Sequence, residues 1–203
     1  VIPANRSRLS PVNFQDTQLI GVLARAESTV SSLSDLLGGL VEKFAARGYS
    51  LYLVGGSVRD ALLGRLGNDL DFTTPARPDV VKEILDEWAE TVWDTGIDFG
   101  TVSAAYKGQQ IEITTFRSDS YDGQSRNPEV VYGDTLEGDL VRRDFKVNAM
   151  AIELLADASF TFHDPLHGLQ DVADRVLDTP DKPEISFHDD PLRMLRAARF
   201  ASQ

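Results

Sequence analysis

The chain has 203 residues, of which 32 are acidic and 20 are lysine or arginine, so its formal net charge is −12. Hydrophobic residues at 42% and charged residues at 26% are ordinary for a globular protein, which excludes disordered, collagen-like and coiled-coil classes. The acidic balance argues against a body that holds nucleic acid through bulk positive charge. We therefore expect no DNA partner, and any RNA contact to be local or to come from sequence outside these residues.

The chain contains no cysteine, and none of its apolar runs approaches about 18 residues. It also has no segment with the basic start and apolar centre of a signal peptide. These features predict a cytoplasmic protein with no membrane partner, no disulfide framework and no thiolate metal site. The sequence begins at Val1 instead of Met, which suggests a processed or cloned piece.

Residues 1–47 are predicted to form an irregular leader followed by helices. Residues 1–13 contain two prolines and several small polar residues, whereas the apolar residues from Phe14 to Arg47 recur at helical spacing in two sets. Gly48 is predicted to end the second helix.

A buried strand, a tight turn and a short helix are predicted next. Residues 50–54 form an apolar run that ends at the pair Gly55–Gly56. The segment from Ser57 to Leu63 then has the pattern of a helix, and Gly64 closes it.

Further strands follow along the chain. Residues 69–73 alternate between polar and apolar types and predict a strand, and a helix is expected to begin at Pro78. Residues 101–106 and 109–116 flank Lys107–Gly108 and predict an antiparallel hairpin.

The second half of the chain changes character. Residues 117–139 are rich in Gly, Asp, Ser, Asn and Pro and predict a long mobile loop, which at that length is usually functional or disordered. After Pro165 and Gly168 the pattern becomes helical, most clearly from Pro191 to Phe200. We place a domain boundary near residue 160, between a mainly α/β module and the start of a helical one.

The glycine pair is the first candidate for function. Where a strand runs into Gly55 and Gly56 and then into a helix, no Cβ blocks a phosphate, and the positive end of the helix dipole points the same way. Arg59, one turn into the helix, could reach the same anion. The alternative is a strand, turn and helix without a ligand, and no third glycine completes a dinucleotide-binding fingerprint.

Three carboxylates form the second candidate. Asp69 and Asp71 lie two residues apart on a strand, so their side chains share a face, and oxygen ligands suit Mg²⁺ or Mn²⁺. Glu112 would lie beside them if its strand is a neighbour. Acidic pairs at this spacing are common in so acidic a chain, and the alternative for Glu112 is a solvated side chain. Together, near a Gly-Gly turn, the three describe a two-metal phosphoryl-transfer site.

Two basic segments are the remaining candidates. The first contains Arg142, Arg143, Asp144 and Asn148, which on a helical turn would place phosphate donors beside a carboxylate and an amide. The alternative for this segment is a surface salt-bridge cluster.

The second basic segment is a predicted helix that Asp190 caps, with Pro191 in its first turn. Arg193, Arg196 and Arg199 repeat every three residues along it, and such a stripe in an acidic chain favours an anionic partner. An exposed basic face, or pairing with acidic residues nearby, is the alternative.

With these segments in this order, the chain closely resembles the class II tRNA nucleotidyltransferases, the CCA-adding enzymes, and their bacterial poly(A) polymerase relatives. The resemblance covers roughly residues 48–203. Residues 55–64 with Asp69 and Asp71 are similar to the catalytic motif of the family, and residues 142–150 to its ribose-selecting motif. Residues 163–168 are similar to the hinge motif, and residues 189–200 to the base-reading motif.

This resemblance implies an α+β fold, a polymerase-β-like nucleotidyltransferase head in which a mixed antiparallel sheet is flanked by helices, followed by the start of an all-helical neck. It implies N-terminal leader and helices over 1–47, the catalytic head over 48–160, and over 161–203 the beginning of the neck, which recognises the base. Family members continue into neck, body and tail domains that bind tRNA, so this chain would stop inside the neck.

The resemblance also implies residue roles. Asp69 and Asp71 would bind the catalytic metals, and Glu112 would be the third strand carboxylate. The nucleotide-binding residues would be Gly55, Gly56, Ser57, Arg59, Arg143, Asp144, Asn148, Asp190, Arg193, Arg196 and Arg199.

Within that set, Gly56 and Arg59 would hold the triphosphate, Asp144 with Asn148 would check the ribose 2′-hydroxyl, and Asp190 with Arg193 would read the base edge. Residues 117–139 correspond to the flexible element that the family uses when it switches from CTP to ATP. Two positions depart from the family pattern, because Asp189 stands where Glu is usual and Lys146 where Thr is usual.

The implied activity is template-independent addition of CMP and AMP, from CTP and ATP, to the 3′ end of tRNA with release of pyrophosphate. A poly(A) polymerase, a partial CC- or A-adding enzyme, and a nucleotide-binding regulatory module without turnover remain alternatives.

Overall fold

A computed structural model describes residues 14–120 and 129–202. Its helices are α1 Phe14–Ala46, α2 Gly55–Leu62, α3 Pro78–Asp86, α4 Leu136–Val141, α5 Gly168–Asp174, α6 Pro183–Asp189 and α7 Leu192–Ala201. Its strands are β1 Leu51–Val54, β2 Asp69–Thr74, β3 Thr91–Trp93, β4 Thr101–Tyr106, β5 Gln109–Thr115, β6 Arg117–Ser120, β7 Glu129–Tyr132, β8 Ala151–Leu154 and β9 Phe160–His163. The predicted leader over 1–13 lies outside the described residues.

Seven strands form one mixed sheet in the order β3-β4-β5-β2-β1-β8-β9. The pair β2 and β5 is parallel, and the other neighbours are antiparallel. Helices flank this sheet, so the predicted α+β fold is confirmed. The parallel register places Asp71 directly beside Glu112, and this register decides the chemistry described below.

The core packs α1 and α3 against the sheet. Val22, Ala26, Val30 and Leu37 are buried along one side of α1, and this apolar stripe runs unbroken through the Ser- and Thr-rich middle of the helix. The prediction of two separate helices over 14–47 is therefore wrong, because continuous burial of one face stabilises a single long helix. Gly48, with φ +78°, follows its end as predicted.

The predicted long loop over 117–139 is also wrong for the residues that the structure describes. Strands β6 and β7 pair antiparallel, and Thr135 caps α4 by accepting a hydrogen bond from the Gly138 N–H at 3.2 Å. The β-forming run of β7 and this cap stabilise regular structure within a segment of turn-like composition. The middle of the segment, 121–128, lies outside the described residues.

The helical segments after residue 165 are confirmed as α5, α6 and α7. The sheet itself extends through β9, which pairs with β8. Among the residues described, none of the helices combines the length and hydrophobicity that a membrane-spanning segment needs.

Candidate nucleotide-transfer site

The glycine turn forms the floor of the candidate site. Helix α2 begins at Gly55, two residues before the predicted start at Ser57, since Gly55 adopts φ +65° and turns the chain directly from β1 into the helix. A Cβ on Gly55 would lie 2.9 Å from Nη1 of Arg143 and 3.9 Å from Oδ2 of Asp71. The backbone therefore needs glycine here for its conformation and because a cation and a carboxylate approach it closely.

Ser57 connects α2 to strand β2, which carries Asp69 and Asp71. Its buried Oγ accepts a hydrogen bond from the Asp71 N–H at 2.9 Å and donates to the Asp69 carbonyl at 3.3 Å. The residue thus ties α2 to β2 and does not line the cleft.

Two carboxylates, Asp71 and Glu112, face the cleft from neighbouring parallel strands. Burial raises the pKa of the Asp71 carboxyl, and the charges of Glu112 and Asp69 raise it further, against the lowering effect of Arg143 and Arg59. Asp69 is exposed at the start of β2 and lies outside the cleft lining. Negative charge is therefore concentrated at this carboxylate pair, and at Asp71 the charges of Arg143 and Arg59 offset it only in part.

The donor set fits a divalent cation that shares its coordination with a ligand. In residues 14–120 and 129–202, no three His, Cys, Asp or Glu side chains are arranged to hold a metal ion by themselves. Mg²⁺ commonly takes only one or two protein carboxylates and completes its coordination with water and substrate phosphates. Burial, together with the charges of Glu112 and Asp69, raises the pKa of Asp71, and such a cation would favour its ionised form.

A hydrogen-bonded group centred on Asp144 forms one wall. Oδ1 of Asp144 accepts from the Phe145 N–H at 2.9 Å and from Nδ2 of Asn148 at 3.0 Å. Oδ2 accepts from Nε of Arg196 at 2.7 Å. Asn148 in turn accepts from Nη1 of Arg59 at 2.7 Å through its Oδ1. The predicted ribose-selecting pair is therefore brought together and connected to both neighbouring helices.

The ring of Phe200 organises the basic side chains at the end of α7. The guanidinium carbons of Arg59 and Arg199 each lie 4.8 Å from its ring centroid, and that of Arg196 lies 5.6 Å away. Such cation–π contacts stabilise the positive charges where they gather along the cleft.

The start of α7 carries the predicted base-reading residues. Oδ1 of Asp190 accepts a hydrogen bond from the Leu192 N–H at 3.0 Å, as its predicted capping role requires. Arg193 donates to Oγ of Ser186 at 2.7 Å and to the carbonyl of Arg142 at 3.2 Å. These bonds join the start of α7 to α6 and to the residue that follows α4.

Most of the predicted residues surround a single cleft of about 560 Å³. Ser57 and Asp69 lie outside its lining. The predicted residues within it are Gly55, Gly56, Arg59, Asp71, Glu112, Arg143, Asp144, Asn148, Asp190, Arg193, Arg196 and Arg199.

Asp139 is a residue at this site that the sequence analysis missed. It is fully buried in α4 and forms ion pairs with Arg142 at 2.7 Å and Arg143 at 2.9 Å. Its positions three and four residues before the two arginines are the helical spacing that could have indicated it. The ring of Phe200 was missed as well, and nothing in the sequence signals its role.

Comparisons with known proteins indicate one family. A family model described as the poly(A) polymerase head domain matches residues 51–178. A curated CCA-adding enzyme of Listeria monocytogenes serotype 4a (strain HCC23) is 42% identical over 165 residues, which are 81% of this chain and 40% of that protein. One of Lactobacillus helveticus (strain DPC 4571) is 44% identical over 157 residues, 77% of this chain and 37% of that protein.

Solved structures show the same likeness. The Bacillus stearothermophilus CCA-adding enzyme in complex with CTP has a TM-score of 0.68 and 37% identity, over 84% of this chain and 39% of that one. A tRNA nucleotidyltransferase complexed with a primer tRNA and an incoming ATP analog has a TM-score of 0.67 and 34% identity, over 80% of this chain and 44% of that one.

The chain spans about 40% of the length of the curated relatives that it matches. The family model covers well over half of the chain, and its matched range contains the glycine turn, both cleft carboxylates, Asp144 and Asn148. The chain therefore belongs to the poly(A) polymerase head-domain family, the class II nucleotidyltransferases that include the CCA-adding enzymes.

Proposed function

We propose that this chain is the catalytic, nucleotide-binding part of a template-independent tRNA nucleotidyltransferase. It uses CTP and ATP, adds CMP and AMP to the 3′ end of tRNA and releases pyrophosphate. The observation that carries this proposal is the convergence of a glycine turn, two carboxylates and a capped basic helix on one cleft.

The polyphosphate of the nucleotide binds over the glycine turn. The first N–H groups of α2 and the guanidinium groups of Arg59 and Arg143 face the same space, and together they offer donors to anionic oxygens. Asp71 and Glu112 lie at the edge of this space, where they orient the attacking 3′-hydroxyl of the RNA towards the α-phosphate.

Mg²⁺, or Mn²⁺ in its place, would be held by Asp71 and Asp69 with Glu112 beside them. When bound, such ions lower the pKa of an attacking hydroxyl and stabilise charge on the leaving pyrophosphate. The raised pKa of Asp71, which burial and the charges of Glu112 and Asp69 cause, supports this assignment.

Selection of the base follows from complementary hydrogen-bonding groups. Cytosine and adenine both present an amine donor beside a ring-nitrogen acceptor, whereas uracil and guanine present a carbonyl beside a ring N–H. Asp190 can only accept and Arg193 can only donate, so the pair complements C and A and opposes U and G. No nucleic-acid template is needed for this selection.

A poly(A) polymerase is the second candidate, because the matching family model carries that description and the motifs are shared. Partial CC- or A-adding activity would use the same cleft. The division into 1–47, 48–160 and 161–203, and a cytoplasmic location, remain predictions within this proposal.

The proposal is tested with the longest natural chain that contains these 203 residues, a tRNA lacking its 3′ end, Mg²⁺ and each NTP. Release of pyrophosphate distinguishes an enzyme from a nucleotide-binding module, and sequencing of the products distinguishes CCA addition from poly(A) or partial addition. Binding of CTP without any transfer under these conditions would contradict the catalytic assignment.

A further inference from the structure

Asp139 joins the two arginines of the cleft to one buried carboxylate. Its Oδ1 accepts from Nε of Arg142 at 3.2 Å and from Nη2 at 2.7 Å, and its Oδ2 accepts from Nη2 of Arg143 at 2.9 Å. The carboxylate has an exposure of 0%. Because the single negative charge of Asp139 pairs with the two positive charges of Arg142 and Arg143, these three side chains together carry a net positive charge beside the cleft.

The two edges of the Arg143 guanidinium have different surroundings. Nη2 is held by Asp139, whereas Nη1 lies over the glycine turn, at 2.9 Å from where a Cβ of Gly55 would be. Within residues 14–120 and 129–202, Nη1 makes no hydrogen bond to protein, and Nε is buried without a partner. Asp139 thus holds the guanidinium through Nη2, and the Nη1 group, the unused edge of the guanidinium, keeps its donors over the glycine turn.

We propose that Asp139 is a positioning residue, which holds Arg143 so that its unused edge donates to an anionic oxygen of the bound nucleoside triphosphate. This inference rests on the proposed function and deepens it. Asp139 does not touch the nucleotide and acts through Arg143.

The physical reason is preorganisation. A long arginine side chain that is free in the unliganded protein loses rotamer freedom when it binds a ligand, and this loss weakens binding. Asp139 restricts the side chain before the ligand arrives. Burial by itself raises the pKa of the Asp139 carboxyl, but the charges of Arg143 and Arg142 outweigh burial and keep the pKa below its ordinary value. The carboxylate is therefore ionised at neutral pH.

The carboxylate also reaches the neighbouring hairpin. Oδ1 accepts from the Arg117 N–H at 3.4 Å, at the first residue of β6. The same group therefore connects the base of the β6–β7 hairpin to the arginine pair, which adds to the restraint on α4.

The test compares Asp139→Asn with Glu137→Gln, an acid-to-amide change on the same helix that lies outside the cleft lining. The amide oxygen introduced by Asp139→Asn can still accept from Arg142, but the amino group beside it cannot accept from Arg143. We expect Asp139→Asn to raise the Kd for CTP by about tenfold or more, and Glu137→Gln to leave it unchanged. In an Arg143→Ala background, Asp139→Asn should have no further effect.

Arginine side-chain NMR without nucleotide gives a readout that is independent of the proposed function. Rotation of the Arg143 guanidinium should be restricted in the wild type and released in Asp139→Asn. If the wild type bound no CTP while this difference was present, the proposed function would fail and the positioning role would stand.

Three results would overturn the proposal: unchanged CTP binding by folded Asp139→Asn, multiplicative effects of the Asp139 and Arg143 substitutions, or equal guanidinium rotation in both proteins. Should Asp139→Asn not fold, Arg143→Lys decides instead. A lysine lacks the rigid planar guanidinium that spans Asp139 and the nucleotide, so CTP binding equal to wild type by this variant would also refute the proposal.

Discussion

Arg196 and Asp144 are joined across 52 positions of the chain by an ion pair in which Nε and Nη2 of the arginine both lie 2.7 Å from Oδ2 of the aspartate. The other oxygen of Asp144 accepts from Phe145 and Asn148. Three hydrogen bonds and the close Nη2 contact crowd a carboxylate that has about four lone-pair positions. A ribose hydroxyl that donates to Asp144 therefore competes with Arg196, whose side chain is 48% exposed.

Sugar selectivity tests this relationship. Because Arg196 competes with the ribose, Arg196→Gln should raise the preference for CTP over dCTP by up to about fivefold, as expected for a partly exposed ion pair worth at most about 1 kcal/mol. Asp144→Ala should instead reduce the preference towards one. Equilibrium binding of both nucleotides measures the ratio, with Lys82→Gln on α3 as the control. Movement of the ratio in the same direction in both variants would contradict the competition.

Replacement of Asp71 should separate stability from activity. The folded protein holds the pKa of this carboxyl above its unfolded value, so ionisation costs stability as the pH rises through the interval between the two pKa values. Asp71→Asn removes this cost. We expect its Tm at pH 7 to rise by about 2 to 4 °C, equivalent to about 1 kcal/mol for a chain of this size, with a smaller gain at about pH 4.

Nucleotide transfer by Asp71→Asn should be lost in the same experiment, and Mg²⁺ with CTP should stabilise it less than the wild type. Glu83→Gln, an exposed substitution on α3, provides the control for a change of charge alone. Transfer at near the wild-type rate by Asp71→Asn would refute the role of this carboxylate.

Addition of one methyl group at the glycine turn should disrupt phosphate binding. In Gly55→Ala the side chain meets Arg143, and the positive φ costs about 1–2 kcal/mol for a residue with a Cβ. We expect the affinity for CTP to fall by at least about tenfold. Gly67→Ala is the matched control, because a Cβ there has no atom within 4 Å. Equal CTP affinities of the two variants would argue against a nucleotide over this turn.

Base discrimination should depend on the charge of Asp190 and not on its capping bond. Asp190→Asn retains an oxygen that accepts from Leu192 but adds a donor, whereas Asp190→Ala removes the cap at a cost of about 1 kcal/mol. A site that pairs specific polar groups discriminates by roughly 10⁴ or more. Both variants should lose most of the preference for CTP and ATP over UTP and GTP.

Single-nucleotide incorporation with all four NTPs measures this preference, and Glu184→Ala on α6 is the control. If both Asp190 variants excluded UTP and GTP as strongly as the wild type, the base would be read elsewhere.

Local features of the site could be predicted from sequence because their geometry repeats over two to four residues. The i, i+2 spacing of Asp69 and Asp71, the glycine pair after an apolar strand and the cap at Asp190 each depend on the nearest neighbours along the chain. The family resemblance came from the order of such local motifs.

Tertiary contacts overrode the local sequence pattern at two predicted elements, the break within residues 14–47 and the loop over 117–139. The Ser- and Thr-rich middle of α1 remains helical because Val30 packs into the core. The segment after Phe116 has turn-like composition, yet β6 and β7 pair with each other. At the end of α4, Asp139 forms ion pairs with Arg142 and Arg143.

The sequence by itself determined which faces the chemistry-bearing side chains occupy, whereas only the tertiary structure decided which of them meet. Asp71 lies beside Glu112 because β2 and β5 pair in one parallel register. Arg59 reaches Asn148 across 89 positions, and Arg196 reaches Asp144 because α7 returns to the cleft. Such pairings depend on the packing of whole elements around a shared core, and one-dimensional spacing carries no information on which distant elements become neighbours.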